Sequence, residues 1–135
     1  MAHTALVVDD SEIARAFIID ILRRHDFGSI AEAENGAQCV EIVQKNPPDI
    51  IFLDIEMPVM NGIDTLRAIR RFHKNITIVM MTAVAHTDVV NECKQHGTNY
   101  YILKDLPEGK IDTRVGQILE RVRGDGQAWR RSPCR

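Results

Sequence analysis

The sequence predicts an α/β doubly wound fold, a parallel sheet built by alternating strand and helix five times. Three observations predict it. Unbroken apolar runs at residues 5–8, 50–53 and 76–81 suit strands covered on both faces, as a parallel sheet requires. Between them lie segments whose apolar residues recur at helical spacing. Turn signals such as Asn35-Gly36, Pro47-Pro48 and Asn61-Gly62 punctuate the alternation.

The elements follow in order. Ala5-Leu6-Val7-Val8 is a short strand ending in Asp9-Asp10-Ser11-Glu12, where Ser11 or Asp10 can cap the next helix. That helix carries Ile13, Ala14, Phe17, Ile18, Ile21 and Leu22 at helical spacing and stops near Asp26-Phe27-Gly28. Residues 29–33 read as a weaker second strand, and Ala37, Val40, Ile42 and Val43 mark a second helix. Pro47-Pro48 ends it by Asn46, because proline lacks an amide donor and restricts the residue before it. The third strand is Ile50-Ile51-Phe52-Leu53, closed by Asp54. A helix with Ile63, Leu66, Ala68 and Ile69 ends in Arg70, Arg71, His73 and Lys74, cations suited to the negative pole of its dipole. Residues 76–81 form the fourth strand, ending at Thr82. A polar helix over residues 87–95 stops at Gly97, a candidate left-handed cap. Tyr100-Tyr101-Ile102-Leu103 forms the fifth strand before Lys104. The last helix, over residues 110–123, shows Ile111, Val115, Ile118, Leu119 and Val122 on one face.

At 135 residues the chain suits one domain that buries a core without disulfides or metal staples; residues 1–123 are expected to form it. Residues 124–135 lack apolar periodicity and are expected to be a disordered tail, with a basic anchor as the alternative for their arginines. A net charge of −2 gives no global field favouring nucleic acid or membrane surfaces. No window reaches the roughly 20 apolar residues of a spanning helix. Three cysteines without framework spacing, in a chain that opens with no secretory leader, point to a reduced, cytoplasmic setting.

Five polar groups stand at the carboxyl ends of apolar strands: Asp9 and Asp10, Asp54, Thr82 and Lys104. In a parallel sheet they converge on one edge, where ligands of such sheets bind. Singly, each has an ordinary explanation as helix cap, turn residue or solvated lysine. Together they make a site. Three close carboxylates repel unless a cation offsets them, and oxygen ligands without a His or Cys cluster favour Mg2+. A carboxylate beside Mg2+, lysine and threonine can act as a nucleophile on phosphorus. His86, His96 and Cys93 are too poorly spaced for a metal site.

These residues resemble the receiver domains of two-component response regulators. The matching pieces are Val7-Val8-Asp9-Asp10-Ser11, Asp54-Ile55-Glu56-Met57-Pro58-Val59-Met60-Asn61-Gly62, Met81-Thr82-Ala83, and Gly97 through Lys104, so the resemblance covers residues 4–123. It implies a flavodoxin-like sheet of strand order 2-1-3-4-5. It implies Asp54 as phosphoacceptor, with a sensor histidine kinase or histidine phosphotransfer protein as donor. Mg2+ (or Mn2+) would be held by Asp10 directly, Asp9 through water, Asp54 and the Glu56 backbone carbonyl. Lys104, Thr82 and the Ala83 amide would contact the phosphoryl oxygens. Tyr101 would be the aromatic that turns inward as Thr82 moves. Glu56 and Val84 would tune phosphate lifetime; a carboxylate at Glu56 and an apolar Val84 position attacking water poorly, or Glu56 reaches Lys104 before phosphorylation.

The chain departs from this family after Lys104, where Asp105 replaces the usual proline. A cis bond there would cost about 3–4 kcal/mol, so a trans bond or a rearranged loop is expected. The usual output face would hold Val89, Val90, Cys93, Lys94, His96, Tyr101 and the start of the last helix. No DNA-binding module follows in this sequence, so either the output is a protein contact, made by a monomer or weak dimer, or the chain is a fragment of something longer. Such a protein is a signalling receiver that promotes its own phosphorylation and dephosphorylation, not an enzyme acting on other substrates. The alternatives are a phosphate-independent pseudo-receiver scaffold and an aspartyl-phosphate phosphotransferase. The latter generally has Asp-x-Asp after the first strand and a substrate-covering cap, neither of which is present.

Overall fold

A computed structural model describes residues 3–25, 27–57, 60–83 and 87–124. Five strands alternate with five helices: β1 (His3–Val8), α1 (Glu12–Arg23), β2 (Phe27–Ala33), α2 (Gly36–Lys45), β3 (Ile50–Asp54), α3 (Gly62–Phe72), β4 (Thr77–Thr82), α4 (Thr87–Gln95), β5 (Tyr100–Leu103) and α5 (Glu108–Gly124). The strands are parallel in the order β2-β1-β3-β4-β5. This is the doubly wound sheet expected from the sequence. Strand β2 begins at Phe27 and α5 at Glu108, each two residues before the sequence reading placed them. The expected tail beyond Gly124 lies outside the described residues.

Alternate side chains of the inner strands enter two separate cores. Val7, Phe52, Val79 and Ile102 pack with α1 and α5 on one face. Leu6, Val8, Leu53 and Met80 pack with α2, α3 and α4 on the other. Every residue of β3 is buried, which explains a strand with no polar alternation. Cys39 and Cys93 are buried free thiols. No helix among the described residues is long and apolar enough to cross a membrane.

Helix α1 corrects the sequence reading. Ile13, expected on its apolar face, is 83% exposed, whereas Arg15 and Ile19 are buried. The inward stripe runs through positions 15, 18, 19 and 22, and Ile13 projects from the opposite side. Ser11, not Asp10, is the cap, accepting from the Ala14 amide at 3.2 Å. Asn35 and Asn61 cap α2 and α3 in the same way. Gly97 closes α4 with φ of +92°, the left-handed conformation that glycine adopts without Cβ strain.

Gly62 begins α3 against the backbone that follows the third strand. Its amide donates to the Ile55 carbonyl at 2.8 Å, and an added Cβ would meet the Asp54 carbonyl and the Ile55 Cα. Because these obstacles are backbone atoms, they cannot swing aside. Gly62→Ala is expected to destabilise the fold by about 1–3 kcal/mol, read as a lower denaturation midpoint in urea. An unchanged midpoint would show that the close approach carries no constraint.

Candidate functional site

Strand register places the polar groups. Val8 pairs with Leu53, so Asp9 and Asp54 stand one step further along neighbouring strands. Asp54 pairs with Met81, one residue short of Thr82, and Thr82 pairs with Leu103, which precedes Lys104. Four strands thus deliver Asp9, Asp10, Asp54, Thr82 and Lys104 to one edge. Asp9, Asp54 and Thr82 are buried, Asp10 is exposed and Lys104 is half-buried.

One ligand oxygen from each of Asp9, Asp10 and Asp54 falls within 4.8 Å of the others. Three hard oxygen donors at this spacing fit Mg2+, which is held by one or two carboxylates and keeps several waters. The exposure of Asp10 leaves an open side for those waters and for a phosphate. Lys104 Nζ lies 2.7 Å from Asp9 Oδ2 and 3.5 Å from Asp54 Oδ1. The Glu56 amide donates to Asp54 Oδ1 at 3.4 Å.

Burial, followed by the charge of Asp9, raises the Asp54 carboxyl to about 6, although Lys104 and the Glu56 amide pull it down. For Lys104, burial alone would lower the ammonium, but its contacts with Asp9 and Asp54 prevail and raise it. The lysine therefore stays charged and partly offsets the clustered carboxylates.

Several expectations change here. Glu56 is exposed, and the Lys104 ammonium is taken by Asp9 and Asp54 rather than by Glu56. No peptide bond among the described residues is cis, so Lys104–Asp105 is trans as expected. Asp105 is exposed, and the Lys104 amide still donates to the Thr82 carbonyl at 2.7 Å. The Asp105 replacement therefore leaves the lysine within reach of the acids. Tyr100 packs against the α1–α5 core, whereas Tyr101 packs on the opposite face and stays partly exposed. Cys93, expected on the output face, is buried against the α2–α4 core. Ala83 is exposed beyond Thr82; Val84, His86, Pro58 and Val59 lie outside the described residues.

Arg15 was missed by the sequence reading. It is 7% exposed, donates from Nη1 to the Asp9 carbonyl at 2.7 Å, and pairs through Nε with Glu32 at 2.9 Å. Asp9 is further fixed by its own amide on the Ala33 carbonyl and by the Ser11 amide on its Oδ1. The signal was present: an arginine on the stripe 15, 18, 19, 22 must find acceptors inside the protein.

Three outcomes follow for the metal-free protein. Cation binding competes with protonation of Asp54, so apparent Mg2+ affinity should fall as pH drops through about 6, measured by isothermal titration. At free Mg2+ near 100 times Kd the fold should gain about 2.7 kcal/mol, and Asp10→Asn should remove most of that gain. Arg15→Met should weaken Mg2+ binding about tenfold with Asp9, Asp10 and Asp54 intact, and Arg15→Lys should recover part of it. Equal affinity in Arg15→Met would mean that the guanidinium only fills space.

Comparison with known proteins identifies the family. The family described as response regulator receiver domain matches residues 5–116. The chain is 36% identical over 119 residues to the chemotaxis protein CheY of Bacillus subtilis, covering 88% of this chain and 99% of that protein. It is 35% identical over 121 residues to CheY of Pseudomonas aeruginosa, covering 88% and 98%. A solved CheX-CheY-BeF3-Mg2+ complex from Borrelia burgdorferi superposes with a TM-score of 0.79 at 31% identity, covering 87% of this chain and 89% of that one. The chain belongs to the response regulator receiver family, in which the CheY proteins are also found.

Proposed function

We propose that the protein is a phosphorylation-operated switch whose acceptor is Asp54. The observation that carries this reading is the position of that carboxylate. It is 3% exposed, its oxygen lies with those of Asp9 and Asp10 inside 4.8 Å, and Lys104 stands 3.5 Å away. In the transfer, an Asp54 oxygen forms a bond to phosphorus as the bond from phosphorus to the donor's imidazole nitrogen breaks. The donor keeps that electron pair and takes a proton. The donor is a sensor histidine kinase or a histidine phosphotransfer protein.

Asp9, Asp10, Asp54 and the Glu56 backbone carbonyl would hold Mg2+ (or Mn2+), which supplies neutralisation of the charge gathered in transfer. Lys104 exchanges its bond to Asp54 for one to a phosphoryl oxygen, and Thr82 and the Ala83 amide meet the others. Asp54 lies in mid-sheet, whereas Tyr101 is on the edge strand β5 and Lys104, three residues on, directly follows it. Movement of Thr82 and Lys104 toward the phosphate therefore changes the space open to Tyr101, and with it the face of α4, β5 and α5. The output is a contact with another protein, made in the cytoplasm. Glu56, exposed beside the acceptor, and Val84 set how readily water removes the phosphate.

A phosphate-independent scaffold is less well supported, because Lys104 keeps its contacts with Asp9 and Asp54 despite Asp105. Incubation with Mg2+ and acetyl phosphate should add one phosphoryl mass to the chain and none to Asp54→Asn. Lys104→Met should slow the gain by about 100-fold, the cost of removing one donor to a developing oxyanion. No mass gain, together with no spectral response to beryllium fluoride, would leave the scaffold reading standing.

A further inference from the structure

The edge of the sheet opposite Asp54 carries the reverse charge. There the end of α3 and the residues just after it meet the turn between α4 and β5, bounding an open hollow of about 630 Å³. Arg67, Arg70, Arg71 and Lys74 line it from the α3 side, and His96 and Asn99 from the other. No aspartate, glutamate or apolar side chain lines it.

The hollow is built around Arg70. Its Nε and Nη2 donate to the Gly97 carbonyl at 3.0 and 2.8 Å, Nη2 also to Asn99 Oδ1 at 3.0 Å, and Nη1 to the His73 carbonyl at 3.1 Å. Every one of these acceptors is neutral. The half-buried guanidinium therefore has hydrogen bonds but no counter-charge, and burial lowers it to about 10. Asn99 Oδ1 accepts from the Ile78 amide as well, at 2.8 Å, which fixes the side chain and leaves its two N–H donors unspent.

The surrounding cations are not balanced either. The side chains of Arg71, Lys74 and His96 make no hydrogen bond or ion pair among the described residues, and Arg67 has only Asp64, at 3.8 Å. The negative pole of α3 offsets about half a charge. Arg67 and Arg71 stand at i, i+4, a spacing at which like charges oppose the helix. A chain of net charge −2 thus keeps a concentrated positive hollow that an anion would stabilise.

We propose that this hollow binds the clustered phosphoryl groups of a small ligand. Arg67, Arg70, Arg71 and Lys74 bring four positive charges, of which Asp64 offsets one. A phosphate monoester carries about −1.5 to −2 at pH 7, so balance takes more than one phosphoryl group. Arg71 and Lys74 hold the outer oxygens, and the remaining Nη1 hydrogen of Arg70 and the Asn99 amide meet inner ones. Without aromatic or apolar lining there is nothing to grip a base or an acyl chain, so the phosphoryl groups themselves are recognised. Two sources share this chemistry, a soluble polyphosphate and a lipid headgroup. Phe72, 61% exposed beside Arg71, would enter the bilayer in the second case. The site uses nothing of the Asp54 edge and goes beyond the receiver reading.

The test follows amide resonances of the full chain through a titration with sodium tripolyphosphate, without Mg2+. Shifts should centre on residues 67–74 and 95–99 and saturate, and inorganic phosphate should bind at least about tenfold more weakly. Arg71→Gln/Lys74→Gln, at two exposed positions, should weaken tripolyphosphate binding about tenfold or more. Lys45→Gln/Lys94→Gln removes the same charge elsewhere and should weaken it about twofold or less. Undisturbed resonances outside the altered positions show that both variants fold. In a second arm, the chain is sedimented with phosphatidylcholine vesicles containing cardiolipin. Co-sedimentation that Phe72→Ser abolishes assigns the phosphoryl groups to lipid, and tripolyphosphate binding without it assigns them to a soluble molecule.

Shifts that are absent, unsaturable or centred elsewhere overturn the proposal, as does equal affinity for phosphate and tripolyphosphate. Equal weakening in the two double variants overturns it too, because net charge alone would then explain binding. So does vesicle binding without tripolyphosphate binding, which a charged surface produces with no site. None of these results touches the receiver reading, which stands or falls on modification of Asp54.

Discussion

Mutual repulsion among Asp9, Asp10 and Asp54 is the force against which the site is built. Two like charges about 4 Å apart repel by about 4 kcal/mol at an effective dielectric near 20, a large share of the stability of a small domain. The fold offsets this locally. Lys104 places its ammonium against two of the acids, and the raised Asp54 carboxyl reflects first its burial and then the charge of Asp9. The same edge is thereby ready for a divalent cation, which can neutralise more charge than one ammonium.

Holding acids in unfavourable proximity requires rigid support, and much of it comes from backbone. Arg15 ties α1 to the Asp9 carbonyl, the Ala33 carbonyl receives the Asp9 amide, and Gly62 brings α3 against the main chain of the acceptor. Each anchor lies one layer behind a carboxylate. The strands that carry the charged tips therefore cannot retreat from one another.

The sheet and the identity of the gathering acids were legible because both follow from one-dimensional patterns. Unbroken apolar runs name buried parallel strands, and a polar residue ending such a run must sit at the sheet's carboxyl edge. What was not legible depends on angle and partner. Ile13 lies within a helical apolar pattern, yet the centre of burial falls near Arg15, a residue that composition alone assigns to water. Glu56 was the partner the sequence suggested for Lys104 before phosphorylation; strand register instead stands Asp9 and Asp54 side by side within its reach. Cys93 looked like a surface residue of a polar helix, because one small buried residue per turn leaves little periodic trace. With Asp105 where the family usually has proline, the bond after Lys104 is trans and the lysine still reaches Asp9 and Asp54.

The order β2-β1-β3-β4-β5 gives β3 a hydrogen-bonded neighbour on each side and an apolar layer on each face. Amides in such a strand exchange with solvent only when the whole domain opens, whereas an edge strand can fray independently. Asp54 ends one of these interior strands, and Lys104 follows one with an open edge. Asp54 is thus part of the reference frame against which motion is measured. On the proposed function, a signal written there passes to a strand whose outer edge is open.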